Sequence, residues 1–145
     1  MVTRDRNAGE HIQDLLILPV DVVCPTCGAH AIVHTVDRET RTMSGPRRLV
    51  CASCGLAREH AGTVTTIHEH GADPWFGLPL WRRVTTTWGP VWAYNAAHRD
   101  QLRSFVAAEL RERTSTGGWR AKLPGWMIAG THRAAVLKAI DSMPA

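Results

Sequence analysis

The sequence predicts an α+β protein: a metal-stapled ribbon of antiparallel strands, then a tryptophan-rich β-hairpin, then two helices. Three observations carry this. The chain's four cysteines stand in two matching brackets, Cys24-Pro25-Thr26-Cys27-Gly28 and Cys51-Ala52-Ser53-Cys54-Gly55. Short runs rich in β-branched residues, bounded by turn residues, surround and follow these brackets. Apolar residues recur at helical spacing only toward the end of the chain.

Residues 1–19 form an N-terminal segment, polar over residues 1–11, in which Ile12 to Leu18 fits either a short helix or a strand entering the ribbon. Residues 20–72 form the ribbon. Its predicted strands are Ala29 to Val36, Arg47 to Val50 and Ala61 to Ile67, with the polar stretch Asp37 to Pro46 as a hairpin tip. A composition break falls at His70-Gly71-Ala72-Asp73-Pro74, because every aromatic residue lies between Trp75 and Trp126. Residues 73–145 are therefore read as a second unit. Arg83 to Thr87 and Val91 to Tyr94, split by Trp88-Gly89-Pro90, predict a hairpin. Asn95 is placed to cap a helix running to about Thr114, with Leu102, Phe105, Val106 and Leu110 on its buried face. Ser115 to Pro124 reads as a loop. A last helix begins after Thr131, its cap, and carries Val136, Leu137, Ile140 and Met143.

Two C-x-x-C turns supply two soft ligands each to a tetrahedral ion. The 23 residues between Cys27 and Cys51 leave room for a strand, a tip and a returning strand. Zinc is the expected ion, one per chain, although iron in a rubredoxin-like site uses the same ligands. Four thiolates close the coordination shell, so the site is predicted to be structural. His30, His34 and His60 lie near the brackets but find no vacancy. His68 and His70, two apart, are read as surface residues.

The first ten residues are polar and match no export signal, which predicts a cytoplasmic protein with reduced thiols. No apolar run is long enough to span a membrane. The chain of 145 residues carries a net charge of +4, unevenly spread. Residues 1–72 hold 7 Lys and Arg against 8 Asp and Glu, whereas residues 73–145 hold 10 against 5. Nothing resembles a G-x-S-x-G elbow, an H-E-x-x-H helix or a phosphate-binding glycine loop. The expectation is therefore a non-enzymatic protein with no small-molecule substrate.

The stretch from Val23 to Glu59 resembles the zinc ribbon of the general-transcription-factor-B type. The ribbon is followed by Asp73-Pro74-Trp75-Phe76-Gly77-Leu78-Pro79-Leu80-Trp81, by Val91-Trp92-Ala93-Tyr94-Asn95, and by Leu110-Arg111-Glu112-Arg113. In that order the chain is similar, over about residues 20–143, to a family of small bacterial zinc-ribbon proteins. These are sometimes labelled by analogy with primosomal helicase zinc domains. The resemblance implies an architecture and a structural zinc ion, not an activity. Relatives often carry Cys-Cys-Gly where this chain has Thr86-Thr87-Trp88-Gly89, and no helicase motif is present.

Two functional classes follow. In the first, the protein is an accessory factor binding DNA or RNA. Arg38, Arg41, Arg47 and Arg48 at the ribbon tip, with Arg82, Arg83, Arg99, Arg103, Arg111 and Arg113 behind, would touch phosphates. Rings such as Trp75 and Trp81 would stack on bases. In the second, the ribbon and an aromatic patch grip another protein. The same rings also suit a purely structural role as the core of a small unit.

Overall fold

The computed structural model describes residues 4–5, 18–37, 43–64, 71–108, 110–111 and 123–145. The strands among them are β1 (Arg4–Asp5), β2 (Val20–Val23), β3 (His30–Thr35), β4 (Arg47–Val50), β5 (Ala57–His60), β6 (Arg82–Thr85), β7 (Pro90–Ala93) and β8 (Leu110–Arg111). The helices are α1 (Ala96–Ala107), α2 (Gly125–Ile128) and α3 (Arg133–Asp141), with a 3₁₀ turn at Gly130–His132 before α3. The architecture is α+β, as the sequence predicts.

β2, β3, β4 and β5 form one antiparallel sheet in that order. Val20 pairs with Val33, Ile32 with Val50, and Val50 with Ala57. Side chains alternate across the pleat, so Val20, Val22, Ala31, Val33 and Leu49 all point to one face and are buried. Two of these strands depart from expectation. β2 follows Pro19, beyond the Ile12 to Leu18 stretch offered as a strand entering the ribbon; four residues are too short for period alone to declare a strand. The predicted third strand, Ala61 to Ile67, is corrected. The strand is β5, directly after the second bracket, residues 61–64 are irregular, and residues 65–67 lie outside those described. The bracket reverses the chain so tightly that Ala57 already opposes Val50, and pairing starts there whatever the side chains prefer. Arg58 and Glu59 suit an edge strand by charge.

β6 and β7 form the expected hairpin, closed by the four residues Thr86 to Gly89, with Thr85 opposite Pro90. Proline is tolerated as the first residue of a strand. β7 is the wall between two cores. Val91 and Ala93 face Leu102, Val106, Met127, Val136 and Ile140. Trp92 and Tyr94 face the opposite core, where Tyr94 joins Val22, Val33, Leu49, Trp75 and Leu80. One strand thereby ties the helices to the ribbon. The edge of β2 is sealed by the same region: Asp21 N–H donates to the Tyr94 carbonyl at 2.8 Å, and Val23 N–H to the Pro79 carbonyl at 2.9 Å.

Asn95 caps α1 as expected, its side chain accepting from His98 N–H at 2.9 Å. Leu102, Phe105 and Val106 are buried along it. The helix ends at Ala107, not near Thr114. Ala108 turns extended, and Leu110 and Arg111 enter β8, which runs parallel to β1. Backbone pairing with a distant strand overrides the continuing helical period. In α3, Val136 and Ile140 are buried as predicted, but Thr131 lies in the 3₁₀ turn and makes no cap; His132 occupies that position without a side-chain cap bond.

The Asp73 to Leu80 segment is a folded collar. One carboxylate oxygen of Asp73 accepts from Trp75 N–H at 3.0 Å and Phe76 N–H at 2.7 Å, and the other accepts from Leu78 N–H at 2.7 Å. Asp73 itself is fully buried. Asp73→Ala orphans three amides around a buried site and should cost about 3 kcal/mol or more. The expected readout is a lower urea midpoint with an unchanged slope; an unchanged midpoint contradicts the account.

Candidate metal centre

Both brackets fold into the same turn. Gly28 N–H donates to the Cys24 carbonyl and Gly55 N–H to the Cys51 carbonyl, each at 2.9 Å. The chain then closes back through Cys24 N–H to the Ala29 carbonyl at 2.8 Å and Cys51 N–H to the Leu56 carbonyl at 2.9 Å. Gly28 has φ of 76° and Gly55 of 78°. A β-carbon at either place would meet nothing within 4 Å. Glycine is therefore demanded by the left-handed backbone, not by lack of room.

The paired turns bring all four sulfurs within 4.8 Å of one another. The closest approaches are 3.6 Å between Cys27 and Cys51 and 3.7 Å between Cys24 and Cys54. A tetrahedral ion with metal–sulfur bonds of about 2.3 Å places its sulfurs about 3.8 Å apart. The cluster fits that geometry, and none of the four cysteines is in a disulfide. Among the described residues no other group of His, Cys, Asp and Glu is arranged to hold a metal.

The sulfurs are unequal. Cys24 and Cys51 are buried among Val22, Val33 and Leu49, while Cys27 and Cys54 face solvent. The Cys27 backbone N–H, helped by that of Thr26 at 3.4 Å, stabilises the Cys24 thiolate and lowers its pKa to about 6. The Leu56 backbone N–H pulls Cys54 the same way. Desolvation and the sulfurs of Cys24, Cys27 and Cys51 outweigh it and push Cys54 up to about 12. Four sulfurs this close cannot all ionise without a cation between them, and a divalent metal removes that conflict. Such an ion would have all four tetrahedral positions taken by protein sulfur.

The neighbouring histidines have other duties. His30 bonds Asp21 at 2.7 Å and stacks on Trp81 with centroids 5.2 Å apart. His60 Nδ1 accepts from Gly62 N–H at 2.9 Å and meets the Phe76 ring edge-on. His68 and His70 lie outside the described residues.

Several expected contact residues are corrected by their burial. Arg47 is fully buried, donates to the Gly45 carbonyl at 2.9 Å and lies 4.3 Å over the Trp75 ring. Trp75 is buried in turn and donates its indole N–H to the Met43 carbonyl at 3.0 Å. Arg82 is buried against Asp21. These three build the interior and present nothing to a partner. Arg48 and Arg83 are exposed, and Trp81 is half-buried. Arg99 lies 3.5 Å from Asp100, and Arg103 is bound to Asp141 at 2.7 Å. That pairing holds the Asp141 carboxyl below its ordinary range. Arg38, Arg41 and Arg113 lie outside the described residues, and Arg111 sits in β8. Sequence reasoning missed Asp21, the hub of a half-buried polar cluster, and Asp73, the hub of a buried one; for Asp73 the signal was Asp-Pro with glycine four residues on, a turn signature.

Comparison with protein-family models, with curated proteins and with solved structures finds no match to this chain.

The purified protein is expected to carry one ion per chain by elemental analysis. Cys24→Ser or Cys51→Ser, like a strong chelator, should abolish the fold by circular dichroism, because zinc-type sites contribute about 10–16 kcal/mol. Acid should act in the same direction. The lowered pKa of Cys24 means its thiolate contributes stability above the ordinary thiol range, which is lost as pH falls through about 6. Protons also compete with the ion for all four thiolates, so metal release, followed with a chromogenic chelator, should climb as pH drops.

Proposed function

We propose that the bound ion is zinc and that the protein is a non-catalytic zinc-ribbon accessory factor for nucleic acid. The closed set of four thiolates supports the first part, since it leaves no coordination position for water or substrate. The observation carrying the second is charge: residues 73–145 hold twice as many Lys and Arg as Asp and Glu, 10 against 5. A polyanion is the partner class such an excess attracts. The likeness of Val23 to Glu59 to the general-transcription-factor-B ribbon agrees with this reading. With Arg47 and Arg82 assigned to the interior, Arg48 is an exposed cation of the ribbon that would meet phosphate.

The adaptor reading retains one specific support. Ile32 sits in the middle of the sheet's outer face at 37% exposure, with Leu18 and Val36 more exposed still. An apolar partner surface would cover them.

Salt separates the two. Nucleic-acid affinity should fall at least about tenfold between about 50 and 200 mM salt, whereas an apolar protein contact should barely change. The measurement is an electrophoretic or anisotropy titration with single- and double-stranded DNA and RNA. Absence of binding to all of them at low salt rejects the nucleic-acid reading.

A further inference from the structure

We infer that the groove between the β6–β7 turn and α3 is a stacking site for one nucleotide of a single-stranded nucleic acid, its base on Trp88 and its phosphate at Lys138. This rests on the nucleic-acid reading above and names its point of contact.

Trp88 stands at the hairpin tip with 41% of its surface exposed, although it is a large apolar side chain. It is nevertheless held in place. The His132 ring lies against it, centroids 3.9 Å apart and planes 21° off parallel, and the Trp126 ring stacks at 6.3 Å. His132 is itself anchored, its Nδ1 2.8 Å from the Trp126 carbonyl. The turn beneath is tied as well. The Thr86 hydroxyl donates to the Gly89 carbonyl at 2.6 Å and accepts from Trp88 N–H at 3.3 Å and Gly89 N–H at 3.2 Å. A ring already ordered loses little freedom when a flat ligand settles on it.

Beside Trp88 runs an open groove of about 450 Å³, between Thr85 and Thr87 on one bank and Ala135, Lys138 and Ser142 on the other. That volume lies within the range of small-molecule sites, roughly 300–1,000 Å³. Among the described residues its lining holds one cation and no acidic group. The nearest acid on α3, Asp141, is occupied by Arg103 through two contacts of 2.7 and 3.3 Å, so it does not draw Lys138 away. The Ser142 hydroxyl is spent on the Ala139 carbonyl at 2.7 Å. What the groove offers is the exposed part of the Trp88 ring, a single positive charge and small side chains between them. The aliphatic residues of the lining are Val84, Ala135 and Ala139, none as large as the Leu, Ile or Met side chains that seat a protein anchor; a base with its phosphate matches the pattern.

The test uses the full chain and a fluorescein-labelled oligothymidylate of ten nucleotides at about 50 mM salt, read by anisotropy. Trp88→Leu should weaken binding about tenfold. Lys138→Gln should reduce the slope of log affinity against log salt by about 0.7, the share of one phosphate on a single strand. Lys138 is exposed, so its variant should melt like the parent and decides alone if Trp88→Leu fails to fold. If the parent binds and either folded variant binds as the parent does, the groove is not the site and the nucleic-acid reading survives. If the parent does not bind at all, both fall together.

Discussion

Four cysteine sulfurs held within 4.8 Å of one another are a repulsive cluster unless a cation sits among them. The rest of the ribbon depends on resolving that conflict. Each knuckle is a tight backbone turn whose amides and glycine set the sulfur direction. The ion joins them. Because Cys24 and Cys51 are themselves core residues beside Val22, Val33 and Leu49, coordination and hydrophobic burial reinforce each other. A small unit with a limited apolar core gains from such a staple what a larger domain obtains from area alone.

From that centre the order spreads through two devices. Asp21 sits on the edge strand β2, where its backbone bonds Tyr94 and Trp81 while its carboxylate holds Arg82 and His30. Asp73 gathers three amides of the collar that carries Trp75 and Leu80 into the ribbon core. β7 then shares its two faces between the ribbon core and the helical core. Burial and the adjacent Asp73 charge raise the Tyr94 phenol's pKa, so the ring enters this junction as a neutral group. Loss of the ion would therefore be felt beyond the knuckles, along a continuous line of packed side chains.

The aromatic residues divide by role. Trp75 is sealed beneath Arg47, and Trp92 meets Tyr94 and His98 edge to face, as rings do in a core. Trp88 alone among the described tryptophans is classed with the exposed large hydrophobic residues. Its support by His132 and Trp126 distinguishes an ordered platform from a ring merely left outside. Arginine divides in the same way: Arg47 and Arg82 neutralise or cover interior groups, whereas Arg48 and Arg83 face solvent.

Spacing by itself determined the two cysteine knuckles, the span of β4, the hairpin after the composition break and the Asn95 cap, because each depends on residues a few positions apart; the pairing of the knuckles was legible only because four soft ligands have one common use. Turn geometry, strand alternation and capping are local, so they are written locally. Only the tertiary structure decided that β5 starts at Ala57, that α1 stops at Ala107 and that Arg47, Trp75 and Arg82 are interior. Those outcomes depend on partners far along the chain: Arg82 is held by Asp21, and Trp75 reaches the carbonyl of Met43. An arginine or a tryptophan has the same letter whether it meets a carboxylate, a ring or water, and the meeting is settled by packing.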